Sequence, residues 1–484
     1  MDTPQIKKNL FLVIDQGTSS TKSFLFDSQG VLLLSDKIKH SLNNPAPYHV
    51  ECDPLPILNA CKSFIEQSQL YATKQGYNIH SMGLAVQRST FLFWDKYSLE
   101  PRTQALSWQD SRAATLLKNF KSYRNEIVRL TGSPLSAHFG GPKFLHCIKE
   151  NPSLKKDVQS GNLLFGPLSA FLTHALTGRP NIDESIACRS LLFNIHKRKW
   201  SNKLLDLFQV PVHALPELVP TEHNFGIAAP GNIPLNCVIG DQQAALIGQA
   251  GKHTGSISMN FGTSGSIQFN AGTKATVLPG LISSILSSSM TDKIYMVEGT
   301  INACNSLFYH LEKELNISHK DMQWDKRCEG RKTNGVFVPG FSGIAAPYWT
   351  TGFSDIYDRI DTSDQNDIIR AGMESIGFLV NDILDKIKPT VPSFPNNLNA
   401  SGGCARPPLL QFIADLTNVP VCHSKMKDRT AFGVFKLLNP TEHSDSTVEE
   451  SCIDSTFNPN MSDVKRKKKI RLWHSTLRSA EIIT

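Results

Sequence analysis

Residues 10–22 read LFLVIDQGTSSTK, and SFLFD follows at 23–27. Five apolar residues run into Asp15, the chain turns through Gly17, Thr18, Ser19 and Ser20, and a second apolar run leads away. Two apolar runs joined by a short polar turn make a hairpin with its tip in water. Gly17 lets the backbone bend and come close to a ligand. The three hydroxyls add donors to the N–H groups of the turn, a set that suits phosphate. An ordinary turn uses the same residue types, so one copy of the pattern does not decide between the two readings.

A second copy bears on the choice. Residues 257–269, ISMNFGTSGSIQF, again place a polar turn between apolar strands, with Gly262, Thr263 and Ser264 at the bend. The same Gly-Thr-Ser thus occurs at 17–19 and at 262–264. An echo at so long a period implies two related domains, each offering a phosphate loop to a shared cleft. A chain of 484 residues, 40% hydrophobic and 19% charged, has the length and composition for two or three domains with full cores. Its net charge of +7 fits an anionic substrate and falls far short of a nucleic-acid coating. Ten cysteines are scattered from Cys52 to Cys452, without Cys-x-x-Cys pairs or zinc-ligand spacing, as for reduced thiols in a cytosol. Lys7 and Lys8 stand before an apolar stretch as in a signal peptide, but Asp15 ends that stretch after five residues. No run is long enough to cross a bilayer, and a soluble cytoplasmic protein is expected.

Further along, residues 31–35 (VLLLS) read as a third strand, and Asp53 with Pro54 opens a helix that carries Leu58, Cys61 and Ile65 on one face. Strands followed by a helix in this way differ from a dinucleotide-binding unit, and neither GxGxxG nor a Walker loop is present. Residues 80–95 read as two strands around a polar Gln87-Arg88-Ser89 tip, where the arginine is either a ligand clamp or a solvated charge. In ALSWQDSR (105–112), Trp108 is either a half-buried core residue or the wall of a polyol site, one face to carbons and polar neighbours to hydroxyls. Residues 163–198 give a helix near 168–177 and no evident chemistry. The strand at 237–239 ends in Gly240-Asp241-Gln242-Gln243 before a helical stretch, so Asp241 either caps that helix or is a catalytic carboxylate at the cleft mouth. Residues 367–388 form an amphipathic helix whose Ile369, Met373, Ile376, Val380, Ile383 and Ile387 face the core. The Gly402-Gly403 turn feeds a helix opened by Pro408, a place to hold adenosine or phosphate.

In this order, Ile14 to Ser20, Gln87-Arg88, Trp108-Gln109-Asp110, Gly240 to Ala245, Phe261-Gly262-Thr263, Val338-Pro339 with Ala346 to Trp349, Glu374-Ser375-Ile376 and Gly402-Gly403 resemble the motifs of the FGGY carbohydrate kinases. The glycerol kinase branch is the nearest, and the similarity extends from about Phe11 to Leu438. Each run alone is common; their collinear order is specific. The resemblance implies an α/β chain of two actin-like (ribonuclease H-like) domains with the active site between them. Residues 1–243 would carry the substrate pocket and first phosphate loop, and 244–440 the second loop and the adenosine site. Residues 441–484 are a poorly matching tail. The resemblance further implies ATP and Mg2+, with Asp241 as general base and Asp15 and Asp241 holding magnesium through water. Thr18, Ser19, Ser20, Gly262 and Thr263 would stand near the β and γ phosphates, and Gly402 and Gly403 against adenosine. Arg88, Ser89, Trp108, His138 and Gln242 would join Asp241 around a small polyol or sugar. Lys22 stands where an arginine is usual and could supply the same charge.

The departures bear on the acceptor. Glycerol kinases carry a glutamate where this chain has Ser89 and a tyrosine where it has His138. A missing carboxylate removes a strong hydroxyl acceptor, and a buried hydroxyl left unpaired costs about 1–3 kcal/mol, which argues against glycerol. His146 replaces a signature tryptophan, Asp358 stands near an expected glycine, and Pro407 and Pro408 replace polar residues at the adenine end. The basic run Lys465 to Lys469 reads as a solvated helix face. Three readings remain open: a polyol or sugar kinase, a degenerate relative that binds ligand in a regulatory role, and an actin-like ATPase. Neither nucleic acid nor membrane is an expected partner, and a homodimer is one expected form.

Overall fold

A computed structural model describes residues 9–391, 394–425, 428–440 and 453–483. Lys7, Lys8 and Cys452 lie outside them. The first apolar runs form antiparallel strands Asn9–Gln16 and Ser20–Asp27, with Asp15 opposite Lys22. Leu10, Leu12, Val13 and Ile14 are all buried, which requires packing on both faces of the strand. Strand Leu32–Lys39 pairs with the second strand, longer than the apolar run alone indicates. Asp53 caps helix Pro54–Lys74 by accepting the N–H of Leu55.

Strand Asn78–Val86 then lies parallel to the first strand, and Ile233–Gly240 lies parallel to it in turn. Glu222–Ala228 closes that edge antiparallel, giving a six-stranded sheet. Residues 80–95 do form two strands, but the second, Phe91–Asp95, pairs in a separate four-stranded sheet. The chain leaves one sheet for the other through Ser89, which has φ 63°.

The second half repeats the plan. Strands Ile257–Phe261 and Gly265–Gly272 form the second hairpin, and Lys293–Ile301 continues it antiparallel. On the other side, Leu398–Ser401 and Val421–Ser424 follow in parallel. Strand Ile453–Phe457 closes the edge antiparallel, the place that Glu222–Ala228 takes in the first sheet. The sheet-forming part of the tail thus completes a duplicated α/β architecture, with one extra strand, Ile282–Ser288, at the far edge.

Two helices tie the halves together. Helix Arg429–Leu438 comes from the second half, yet its Phe435 packs against Phe11 of the first strand, ring centroids 5.6 Å apart. It crosses helix Asp241–Ala250 at two glycines. A Cβ on Gly433 would stand 1.9 Å from the Ala244 carbonyl oxygen, and one on Gly248 1.9 Å from that of Arg429. Backbone therefore meets backbone, and no larger residue fits.

Helix Gln365–Ile387 buries Ile369, Met373, Ile376, Val380, Ile383 and Ile387, the face its periodicity predicts. The basic tail run lies in helix Asp463–Ser479. Lys465, Lys467 and Lys468 are exposed, but the reading of the run as one solvated face fails at Lys469. Its ammonium reaches inward to Glu374 at 2.5 Å and the Thr333 carbonyl at 3.0 Å. Trp473 on the same helix is buried, stacked on Phe378. Among the described residues, no helix is long and apolar enough to cross a membrane, and all described cysteines are free.

Candidate active site

A cavity of about 420 Å³ opens between the two halves. Thr18 from the first hairpin and Asn260, Ser264 and Ser266 from the second line it, together with Asp241. The two Gly-Thr-Ser turns, 245 positions apart in sequence (262 − 17), therefore serve one space. Asp241 stands there because strand Ile233–Gly240 delivers it to the first position of helix Asp241–Ala250. Its Oδ1 accepts the N–H of the adjacent Gln242 at 2.8 Å. Burial raises its carboxyl above the ordinary range, and the Arg88 guanidinium, 3.6 Å away, opposes that rise.

One wall of the cavity is assembled from turns that one lysine holds together. Lys143 is fully buried and donates to the carbonyls of Ser89 at 2.8 Å and Ser107 at 2.6 Å. It thereby fixes the Arg88-Ser89 turn against the start of the Trp108 turn. Burial lowers the Lys143 ammonium to about 7. His138 donates from Nδ1 to the Trp108 carbonyl at 2.9 Å, and burial keeps its ring below the usual histidine range. The Trp108 indole N–H donates to the Thr18 hydroxyl at 2.9 Å, bridging this wall to the first hairpin. Gln242 accepts from the Gln268 amide at 2.7 Å, which orients its side chain at the cavity edge. Arg88, Ser89, Trp108, His138, Asp241 and Gln242 all line this one cavity.

On the opposite side, the tip residues Ser19 and Thr263 are exposed. The Gly262 and Thr263 carbonyls accept N–H groups from Cys304, Asn305 and Ser306 at the start of helix Asn305–Glu314. Gly402, with φ 103°, packs onto the same hairpin: a Cβ there would lie 2.3 Å from the Phe261 carbonyl oxygen. Gly403 adjoins Asn305, which borders a second cavity of about 370 Å³ lined by Phe308, Tyr309, Trp324 and Arg406. Pro407 and Pro408 border a different, neighbouring cavity of about 740 Å³. Lys22 lies 3.8 Å from Asp428.

The Asp15 carboxyl is pushed up to about 7 by burial, with Asp241 adding to the rise and Lys22 opposing it. Two partly buried carboxylates that repel each other fit a divalent cation. Among the described residues no group of three or more His, Cys, Asp or Glu side chains could enclose a metal.

Two buried charges escaped the reading of the sequence. Glu298, from strand Lys293–Ile301, accepts both terminal nitrogens of Arg88 at 2.8 and 3.0 Å. Arg189, from the stretch in which no chemistry was evident, donates to the same carboxylate at 2.5 Å. Burial raises Glu298, but the two guanidiniums more than reverse it and hold the carboxyl at about 2. Each is a lone charge in an apolar run, ACRSLLF and YMVEGTI, and such a charge is buried only with a partner. Glu298 thus brings a carboxylate to the cavity from the other half, bonded there to the two guanidiniums.

The FGGY family of carbohydrate kinases, N-terminal domain, matches residues 10–248, and its C-terminal domain matches residues 257–439. The chain is 31% identical to a glycerol kinase of Mycoplasma genitalium, covering 98% of each. It is also 31% identical to glycerol kinase 1 of Thermotoga maritima, covering 96% of this chain and 98% of the relative. The crystal structure of Plasmodium falciparum glycerol kinase with ADP superposes with a TM-score of 0.89 at 28% identity, covering 98% of each chain. Gluconate kinase from Lactobacillus acidophilus, at 19% identity and a TM-score of 0.85 over 99% of each chain, shares the fold.

Proposed function

We propose, since the chain belongs to the FGGY family of carbohydrate kinases and is a carbohydrate or polyol kinase, that it moves the γ-phosphoryl group of ATP to a hydroxyl of a small polyol held beside Asp241. The observation that carries this reading is the sharing of one cavity by Thr18, Ser264 and the Asp241 carboxylate.

An alcohol is a weak nucleophile at neutral pH, so a base must take its proton as the new bond forms. In this reading Asp241 takes that proton while the hydroxyl oxygen attacks the γ-phosphorus. The bond from phosphorus to the β–γ bridging oxygen breaks, leaving ADP and a phosphate monoester. Arg88 favours the ionised form of Asp241 before the transfer. Thr18, Ser19 and Ser20 on one side and Gly262 and Thr263 on the other offer donors to the phosphates, with Lys22 adding a positive charge near the first hairpin. Asp15 and Asp241 would hold magnesium through water, and the ion would offset charge on the phosphates. Gly402 and Gly403 would lie against adenosine, whose base fits the Phe308 and Trp324 cavity. Trp108, His138, Ser89 and Gln242 would surround the acceptor, and closure about the two crossing helices would exclude water, the competing acceptor.

The test is transfer of label from γ-labelled ATP with Mg2+ to a panel of polyols, ketoses and sugars. Formation of a labelled phosphate monoester supports the reading. ATP binding without transfer to any acceptor would overturn it.

A further inference from the structure

The charges in the acceptor cavity are already balanced. Arg88 and Arg189 face Glu298, and the Nε of Arg88 is 3.6 Å from Asp241. Both terminal nitrogens of Arg88 donate to Glu298, while the buried Nε of Arg189 has no partner among the described residues. Glu298 and Arg189 are 2% and 3% exposed, so bulk water does little to screen the cluster. Gln87, 2% exposed, also lines the cavity, and neither its amide oxygen nor its amide nitrogen has a partner among the described residues.

An acceptor bearing a carboxylate would bring a third anion into a site with two cations and two anions, next to the incoming phosphates. Both guanidiniums already face the Glu298 carboxylate, and desolvating a further carboxylate without a cation to match it is costly. A neutral polyol brings only hydroxyls, and an unpaired amide can both donate to and accept from them.

Resting on the reading of this cavity as the acceptor site, we propose that Glu298 is a specificity-determining residue that neutralises Arg88 and Arg189 and so restricts the acceptor to neutral polyols, excluding sugar acids, with the Gln87 amide as a hydroxyl-binding group. Glu298 acts across the cleft, from the half opposite to the rest of the acceptor wall.

The experiment compares each alditol with the aldonate of the same carbon number and configuration, glycerol with glycerate first. For the wild-type protein, kcat/KM is expected to favour the alditol by about 100-fold or more. In Glu298→Gln the freed positive charge is expected to shrink that preference at least about tenfold, while the ATP KM stays unchanged. Gln87→Leu is expected to raise the alditol KM at constant ATP KM. Since removing a buried charge can unfold the protein, calorimetric binding of each pair to the wild type serves as the second readout, with alditol binding and aldonate not competing. Equal use or equal binding of alditol and aldonate by the wild type would overturn the proposal, as would an unchanged preference in a folded Glu298→Gln protein. Alditol binding with no transfer to either series would strike the kinase reading alone, because the binding preference still reads the charge of the site.

Discussion

The Nε of Arg88 lies 3.6 Å from the Oδ1 of Asp241. Burial raises the Asp241 carboxyl and Arg88 is the largest influence opposing it, so the arginine sets how far down in pH the carboxylate stays ionised. A general base works only when deprotonated, so under the proposed role of Asp241 kcat falls as pH drops through its value. Arg88→Gln removes the opposing charge and is expected to move the acidic limb of the kcat profile to higher pH. A limb that stays in place would show that another group governs it.

Lys143 donates to the Ser89 and Ser107 carbonyls from a fully buried position. Lys143→Met leaves the buried Ser89 carbonyl without its donor, while Ser107 keeps the Asp110 N–H, and this costs about 1–3 kcal/mol of stability in a urea titration. Because those carbonyls belong to the Arg88-Ser89 and Trp108 turns, the acceptor KM is expected to rise about tenfold or more while the ATP KM holds. Equal rises in both KM values would contradict a positioning role on the acceptor side.

At the helix crossing, a Cβ on Gly433 would stand 1.9 Å from the Ala244 carbonyl oxygen. The obstacle is backbone, which cannot rotate away. Gly433→Ala is therefore expected to lower stability by about 2 kcal/mol or more, visible as a lower Tm. It is also expected to lower kcat, since Asp241 begins one of the two helices. A protein of unchanged Tm would refute the close contact.

The tail helix docks through Asp382, which accepts from Trp473 at 2.6 Å, Tyr348 at 2.7 Å and His474 at 2.9 Å. The hydrogen bond to Asp382 raises His474 above 6.5, its usual value, with burial and Arg478 opposing and Asp385 assisting. A raised histidine stabilises the docked state fully below its unfolded value and loses that contribution as pH rises through the folded value. Hydrogen exchange in residues 463–479 is therefore expected to quicken as pH rises from 6 to 9, after correction for intrinsic rates. In Asp382→Asn that pH dependence should flatten. Exchange protection that does not change with pH in the wild type would contradict the linkage.

Much of this organisation was legible in the chain because it rests on local patterns. Apolar run, Gly-Thr-Ser turn and apolar run specify each hairpin, and Ile369 to Ile387 specify a helix face, without reference to the rest of the molecule. The collinear motifs pointed to Arg88, Trp108 and Asp241 together, and the three line one cavity. What escaped depends on contacts between distant segments. Arg189 and Glu298 are 109 positions apart and meet only because the short helical turn Cys188–Ser190 is brought against strand Lys293–Ile301. Lys143 lies on a helix whose composition gives no sign that it would hold two turns more than 30 residues upstream. The tail run reads as solvent-facing by composition, yet the Glu374 carboxylate inside the domain draws Lys469 inward.

The proposed chemistry rests on the Asp241 carboxylate taking the proton of an acceptor hydroxyl while the paired hairpins hold the phosphates. Single-turnover transfer from labelled ATP, measured alongside ATP binding in the wild type and in Asp241→Asn, reads this step most directly. ATP should bind the variant as it binds the wild type, and transfer should slow by about 100-fold or more. Transfer at the wild-type rate in Asp241→Asn would remove Asp241 as the base.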